Sequence, residues 1–191
     1  MGQYYVAALR RPNEKKFKSY MGEHGLKLME HSYVGNFFMR GVCELLYKNP
    51  AYVVWCGDYY NEEDDEMQSY LSTDKVGYKS KELWNNNETV IQSEKFDVMG
   101  KYLVNHDTKE YICFQDYCEA LMCGELMSSG WCAHPLSLMT VNSNGKGGGD
   151  YEGWNINTVG VWRDCLISIE DEAPQDFKDI TLDCLFKEDD E

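Results

Sequence analysis

The stretch AYVVWCGDYY (51–60) restricts the fold more than any other part of the chain. Its β-branched and aromatic residues favour a strand, yet it lacks the apolar–polar alternation of a strand with one wet face. Such a run must be covered on both sides, which places it centrally in a sheet. It closes at Gly57-Asp58, and its apolar part is far too short to span a bilayer.

The segments around it define a class. QYYVAAL (3–9) reads as an opening strand, ended by the polar RRPNEKK. KLMEH alternates, so GLKLMEHSYVGN (25–36) reads as a short strand and a turn. Asn36 is placed to cap a helix over 37–47, with Phe38, Val42, Leu45 and Leu46 on one face and Pro50 enforcing the stop. Residues 61–99 carry little pattern and read as an irregular or partly helical acidic insertion. KYLVNHDTKEYICF (101–114) predicts a hairpin through an HDTK turn, and 115–127 a helix. WCAHPLSLMTV (131–141) reads as extended through its proline, 158–171 as a long strand and 179–186 as a last short one. Strands and helices follow one another without a βαβ rhythm. The expectation is one α+β domain, mostly antiparallel, with a few short helices and an acidic tail over about 187–191.

With 191 residues, 43% of them apolar, the chain can bury a sizeable core. Its start has no signal-peptide pattern, and Val6 stands where N-myristoylation wants Ser or Thr. The expected location is therefore the cytoplasm, without membrane attachment. A net charge of −15 argues against direct nucleic-acid binding, since like charge repels a phosphate backbone. It fits a solubilising surface or an acidic face that mimics nucleic acid for a protein partner. The acids gather in NEEDDE (61–66), EDEAPQD (170–176) and EDDE (188–191).

Eight cysteines without a secretion signal predict free thiols. Cys113, Cys118, Cys123 and Cys132 with His134 suggest a metal set by count alone. The steps of five lack the CxxC knuckles of structural zinc and diverge by about 140° on a helix, so buried thiols packing as small hydrophobes are the preferred reading.

MGQYY at the start, KLMEHSYVGN, VVWCGDY, YLVNHDTKEYI and HPLSLMTVNSNGKGGGDYEG together resemble a family of uncharacterised phage and bacterial proteins. Its members show, in the same order, MGQYY, KLMEHS, WAGDY and GNGRGGGDY. The likeness covers most of the chain apart from 61–99 and the acidic tail. Here Lys146 stands at the family's arginine and Cys56 at its alanine. The resemblance implies an accessory role against host defences, by analogy and without a mechanism.

Within VNSNGKGGGDYEGWN (141–155) the glycines can turn backbone N–H groups inward around an anion, with Lys146 supplying charge. Neither a Walker loop nor a dinucleotide fingerprint is matched. Asn144, Gly145, Lys146, Gly147, Gly148, Gly149, Asp150 and Tyr151 are the candidate ligand-binding residues; the alternative is a structural turn or flap. His31, Asp58, His134 and Asp150 are the candidate acid–base set for a phosphoester or nucleotide substrate. Each has a structural counterpart: Asp58 as a strand-end cap, His31 and His134 as packed histidines, His106 as exposed and inert. Tyr4, Tyr5, Trp55, Trp131, Trp154 and Trp162 can stack on a ring, although aromatics on strands are more often core. No nucleophile motif appears, and no cofactor is indicated.

Two functions follow. The first is an acidic accessory protein that binds and inhibits or sequesters a host protein, such as a defence factor. The second is a small-molecule or nucleotide-binding protein, or a phosphoester-acting enzyme, whose pocket is closed by 141–155.

Overall fold

β1 (Tyr5–Arg10) is the strand that QYYVAAL predicts, and its neighbours build outward from it. A computed structural model describes residues 2–59, 80–86, 89–123, 133–142, 151 and 158–184. After β1 come β2 (Lys18–Met21), α1 (Leu28–His31), α2 (Phe37–Leu46) and β3 (Ala51–Gly57). Next are α3 (Ser80–Asn85), β4 (Thr89–Val90), β5 (Tyr102–Asn105), β6 (Glu110–Cys113) and α4 (Phe114–Cys123). The chain continues through α5 (Pro135–Thr140), β7 (Cys165–Glu170) and β8 (Lys178–Asp179).

Among the described residues these strands form one eight-stranded sheet in the order β4-β2-β1-β3-β7-β5-β6-β8. The class is α+β in a single domain, as expected. The sheet is mixed, however, rather than mostly antiparallel: the inner pairings are antiparallel, while edge strands β4 and β8 join in parallel. Each edge strand is two residues long, too short to leave a periodic trace in the sequence.

β3 lies between β1 and β7, in the central position that its continuous apolar run requires. On one face Val53 and Trp55 meet α2 and α5 in the main core, beside Tyr5, Ala7 and Leu9 of β1. On the other face Val54 and Cys56, with Val6 and Ala8, pack against Leu83 of α3. Both faces are dry, so the strand shows no alternation.

α2 starts where Asn36 accepts hydrogen bonds from the backbone N–H of Phe38 (2.9 Å) and Met39 (3.1 Å). It buries Phe38, Met39, Val42, Cys43 and Leu46. The hairpin β5–β6 is also as predicted; Asn105 Oδ1 accepts from the N–H groups of Asp107 and Thr108, and Lys109 takes the positive φ that closes the turn.

Four other expectations fail, each for a local reason. KLMEH is a single helical turn, not a strand: His31 Nδ1 accepts from the Lys27 N–H, Ser32 Oγ donates to the Leu28 carbonyl, and Lys27 pairs with Glu30. These side-chain bonds close a turn that five residues of alternation cannot exclude. Residues 135–140 are helical, not extended; Pro135 sits at the first helical position, where its fixed φ and missing N–H cost nothing. The strand expected over 158–171 begins only at Cys165. Before it, Gly160 (φ 72°) brings its backbone so close to Val141 that a Cβ would lie 2.5 Å from the Val141 carbonyl oxygen. β8 precedes, rather than fills, the strand expected over 179–186, and turns follow over 181–184. Of the insertion expected over 61–99, residues 61–79, 87 and 88 lie outside the described residues; the rest includes the short helix α3, with Leu83 and Val98 buried and β4 paired to β2.

Candidate functional site

MGQYY, VVWCGDY and the entry to the glycine-rich stretch meet at the C-terminal end of β3. Tyr4 and Asp58 form a closed pair there: the Asp58 N–H donates to the Tyr4 carbonyl, and Asp58 Oδ1 accepts from the Tyr4 N–H, both at 2.9 Å. Asp58 thus caps the strand end. Next to it Gln3 is fully buried, and its amide occupies the space a side chain at position 57 would need. A Cβ on Gly57 would lie 1.9 Å from Gln3 Nε2. Gln3 Oε1 accepts from the Tyr5 hydroxyl (3.0 Å), whereas Gln3 Nε2 and the buried Trp55 Nε1 have no acceptor among the described residues. An unmet buried donor costs about 1–3 kcal/mol.

Both ends of the glycine-rich stretch are fixed at this end of the sheet. On the entry side Val141 bridges to Trp55, the Asn142 N–H donates to the Trp55 carbonyl (3.0 Å), and Arg163 donates to Asn142 Oδ1 (2.8 Å). On the exit side Tyr151 is buried, its hydroxyl within hydrogen-bond distance of Ser32 Oγ (2.5 Å) and Ser137 Oγ (2.9 Å). Ser32 donates onward to the Leu28 carbonyl. Ser137 Oγ donates to the His134 carbonyl (3.1 Å), so one hydrogen-bonded group links His134, Ser137, Tyr151, Ser32 and Leu28. Tyr151 is therefore an anchor in the core. Asn144, Gly145, Lys146, Gly147, Gly148, Gly149 and Asp150 lie outside the described residues, as do Trp131 and Trp154.

His134 joins this network from α5. Its N–H donates to the Ser32 carbonyl (2.7 Å), and its Nδ1 accepts from the Leu136 N–H (3.2 Å), capping the helix. With Nδ1 an acceptor, the proton resides on Nε2, which faces Cys43 Sγ at 3.4 Å. Phe114 meets the ring edge-on, with centroids 5.3 Å apart. Burial holds the imidazole neutral, with its pKa pushed down to about 3, and pushes the Cys43 thiol up. A sealed, neutral histidine with both nitrogens engaged has no lone pair for a substrate. His31 Nδ1 is likewise engaged by its own helical turn. No hydrogen bond joins the side chains of His31, Asp58 and His134 to one another; the segments of His31 and His134 meet through the Ser32 carbonyl, Asp58 is held to Tyr4, and Asp150 lies outside the described residues.

Elsewhere, His106 is not the exposed turn residue expected. It is half-buried, with Nε2 2.8 Å from Ser168 Oγ, which donates to Glu170 (2.6 Å). Cys43, Cys56, Cys113, Cys118, Cys165 and Cys184 are buried free thiols, and burial raises Cys184 to about 12. Cys132 and the side chain of Cys123 lie outside the described residues. Among the described residues no three His, Cys, Asp or Glu side chains are grouped to hold a metal. Tyr5, Trp55 and Trp162 are core, whereas Tyr4 is exposed.

A second region, not singled out in the sequence, is an open cleft of about 500 Å³ at the start of α2. Glu23, His24, Tyr33, Phe37, Gln92 and Glu94 are among its lining residues. Tyr33 is 39% and Phe37 51% exposed. The doublet Phe37-Phe38 held the signal: once Asn36 caps the helix and Phe38 points inward, Phe37 lies about 100° away around the helix.

No helix among the described residues is long and apolar enough to cross a membrane. Compared with family models, with curated proteins and with solved structures, the chain matches none of them.

Proposed function

We propose that this chain acts by binding: it is an acidic accessory protein of the phage type that engages a basic surface on a host protein, such as a defence factor, and inhibits or sequesters it. The observation that carries this reading is where the excess of negative charge lies. The chain bears a net charge of −15, and no Asp or Glu of the described residues is buried. Exposed charge of one sign steers association with an oppositely charged surface and selects against wrong partners. The alternative of catalysis has little support from the candidate residues, because His31, Asp58 and His134 are engaged in capping and packing.

The test is capture from a host lysate on immobilised protein, at low and at high ionic strength. The expected result is a discrete basic protein, bound stoichiometrically, released by salt, and poorly held by a variant whose exposed acids are exchanged for their amides. Equal capture by the neutralised variant would overturn the reading.

A second reading, a phosphate-bearing or nucleotide ligand at the glycine-rich stretch, draws on the firm anchoring of Asn142 and Tyr151 at either end of that stretch. Native mass spectrometry of freshly purified protein, with and without chelator, should then detect a discrete ligand mass that is lost in Lys146→Ala. A bare mass from protein purified directly out of the host would count against it.

A further inference from the structure

We infer that the cleft at the start of α2 receives an arginine side chain of the protein partner. This rests on the binding reading above and narrows it to one place and one anchoring residue type.

The chemistry of the lining selects the occupant. The cleft is walled by Tyr33 and Phe37, two aromatics that the fold leaves partly in solvent, and bordered by Glu23 and Glu94. Several other surface acids are already committed: Glu14 holds Lys18, Glu30 holds Lys27, Asp183 holds Lys178, and Asp171 holds both Lys48 and Lys101. Among the described residues the Glu23 and Glu94 carboxylates hold no such partner, and no lysine or arginine lines the cleft. The nearby Arg40 is turned to the Glu94 backbone carbonyl. An aromatic wall beside unpaired carboxylates suits a flat cation that stacks on a ring and donates sideways to oxygen, and a guanidinium does both. Lysine can also sit over a ring, as Lys101 does 4.8 Å from the Tyr47 centroid, but as a strongly hydrated point charge it lacks the flat face and forked donors that engage ring and carboxylate together. The molecule uses the same stacking internally, where the Arg10 guanidinium sits 4.1 Å from the Tyr52 ring centroid and 5.5 Å from that of Phe17.

The experiment is a heteronuclear NMR titration of the full chain with the blocked tripeptide acetyl-Gly-Arg-Gly-amide, beside its lysine and citrulline counterparts. The arginine peptide should shift the amides of Tyr33, Phe37 and Gln92. The lysine peptide should bind several-fold more weakly, and the neutral citrulline peptide should leave the cleft unmoved. Phe37→Ala and Glu94→Gln, each checked by its thermal melt, should weaken the arginine peptide by about tenfold. Shifts scattered over the acidic surface, no shift, or equal response to arginine and lysine would each overturn the inference. The binding reading fails separately: a host protein captured equally by wild type, Phe37→Ala and Glu94→Gln but lost on neutralising the acidic surface would remove the cleft and leave the acidic partner surface standing.

Discussion

The sealed end of β3 and the open cleft at the start of α2 are built from one short segment, residues 32–38, whose neighbours face opposite ways. Ser32 is buried in the hydroxyl network, and Tyr33 stands at the rim of the cleft. Phe38 is 5% exposed and meets Trp55 edge-on at 5.8 Å, while Phe37 is half in solvent. The residue types that suggest chemistry, His134, Cys43, Ser32, Ser137 and Tyr151, are enclosed and used to join α1, α2, α5 and the exit of the glycine-rich stretch. The types that suggest core, Tyr33 and Phe37, are outside, with room around them for another molecule. In this protein burial, more than residue type, separates architecture from possible function.

The comparison breaks most sharply at Phe38. Truncation to alanine removes a ring packed on Trp55 beneath the cleft and leaves a cavity that the surrounding strands cannot fill. Phe38→Ala should lose about 3–5 kcal/mol in urea unfolding. A loss below about 1 kcal/mol would mean that the two faces of α2 are less distinct than their burial makes them.

Acid should attack the sealed region selectively. The unfolded imidazole of His134 takes up its proton near pH 6.5, while the buried ring stays neutral down to about pH 3. Its contribution is therefore complete above pH 6.5 and is lost as pH falls through that window, by about 1.4 kcal/mol per unit. Between pH 6.5 and 5 the folded state should lose about 2 kcal/mol by this route. His134→Asn can still accept the Leu136 N–H at the helix start but does not titrate. The variant should be weaker at neutral pH and show a flatter profile from pH 6.5 to 5. Parallel profiles for wild type and variant would remove His134 as the cause.

The same division explains how much was legible beforehand. The central strand, the hairpin and α2 were readable because each shows its period or cap over many residues: six consecutive apolar positions at 51–56, a polar turn between two strands, an asparagine ahead of a helical stripe. The parallel edge strands and α1 were not, since two to four residues hold no period. Nor was α5, because proline opens a helix as readily as it interrupts one. At the candidate site, Asp58 and Tyr151 were found by their positions in the chain, but their partners Tyr4, Ser32 and Ser137 are long-range and hydroxyl-mediated. Tyr33 and Phe37 were passed over because aromatic residues beside a helix start are read as core until the helix phase is fixed.

The smallest expected effect sharpens the comparison furthest. Phe37 is the first residue of α2, 51% exposed, and its neighbour in sequence already supplies the inward ring. Replacing it with alanine removes little buried area and slightly improves helix propensity, so Phe37→Ala should change stability by no more than about 0.5 kcal/mol. Paired with Phe38→Ala, it makes a two-residue experiment in which the same side chain is deleted one position apart, on opposite sides of one helix. A neutral Phe37→Ala, measured by the same urea transition, would mean that the ring is available for contact with another molecule at almost no cost to the fold. A loss near that of Phe38→Ala would make Phe37 part of the core, and the cleft beside it an ordinary surface groove.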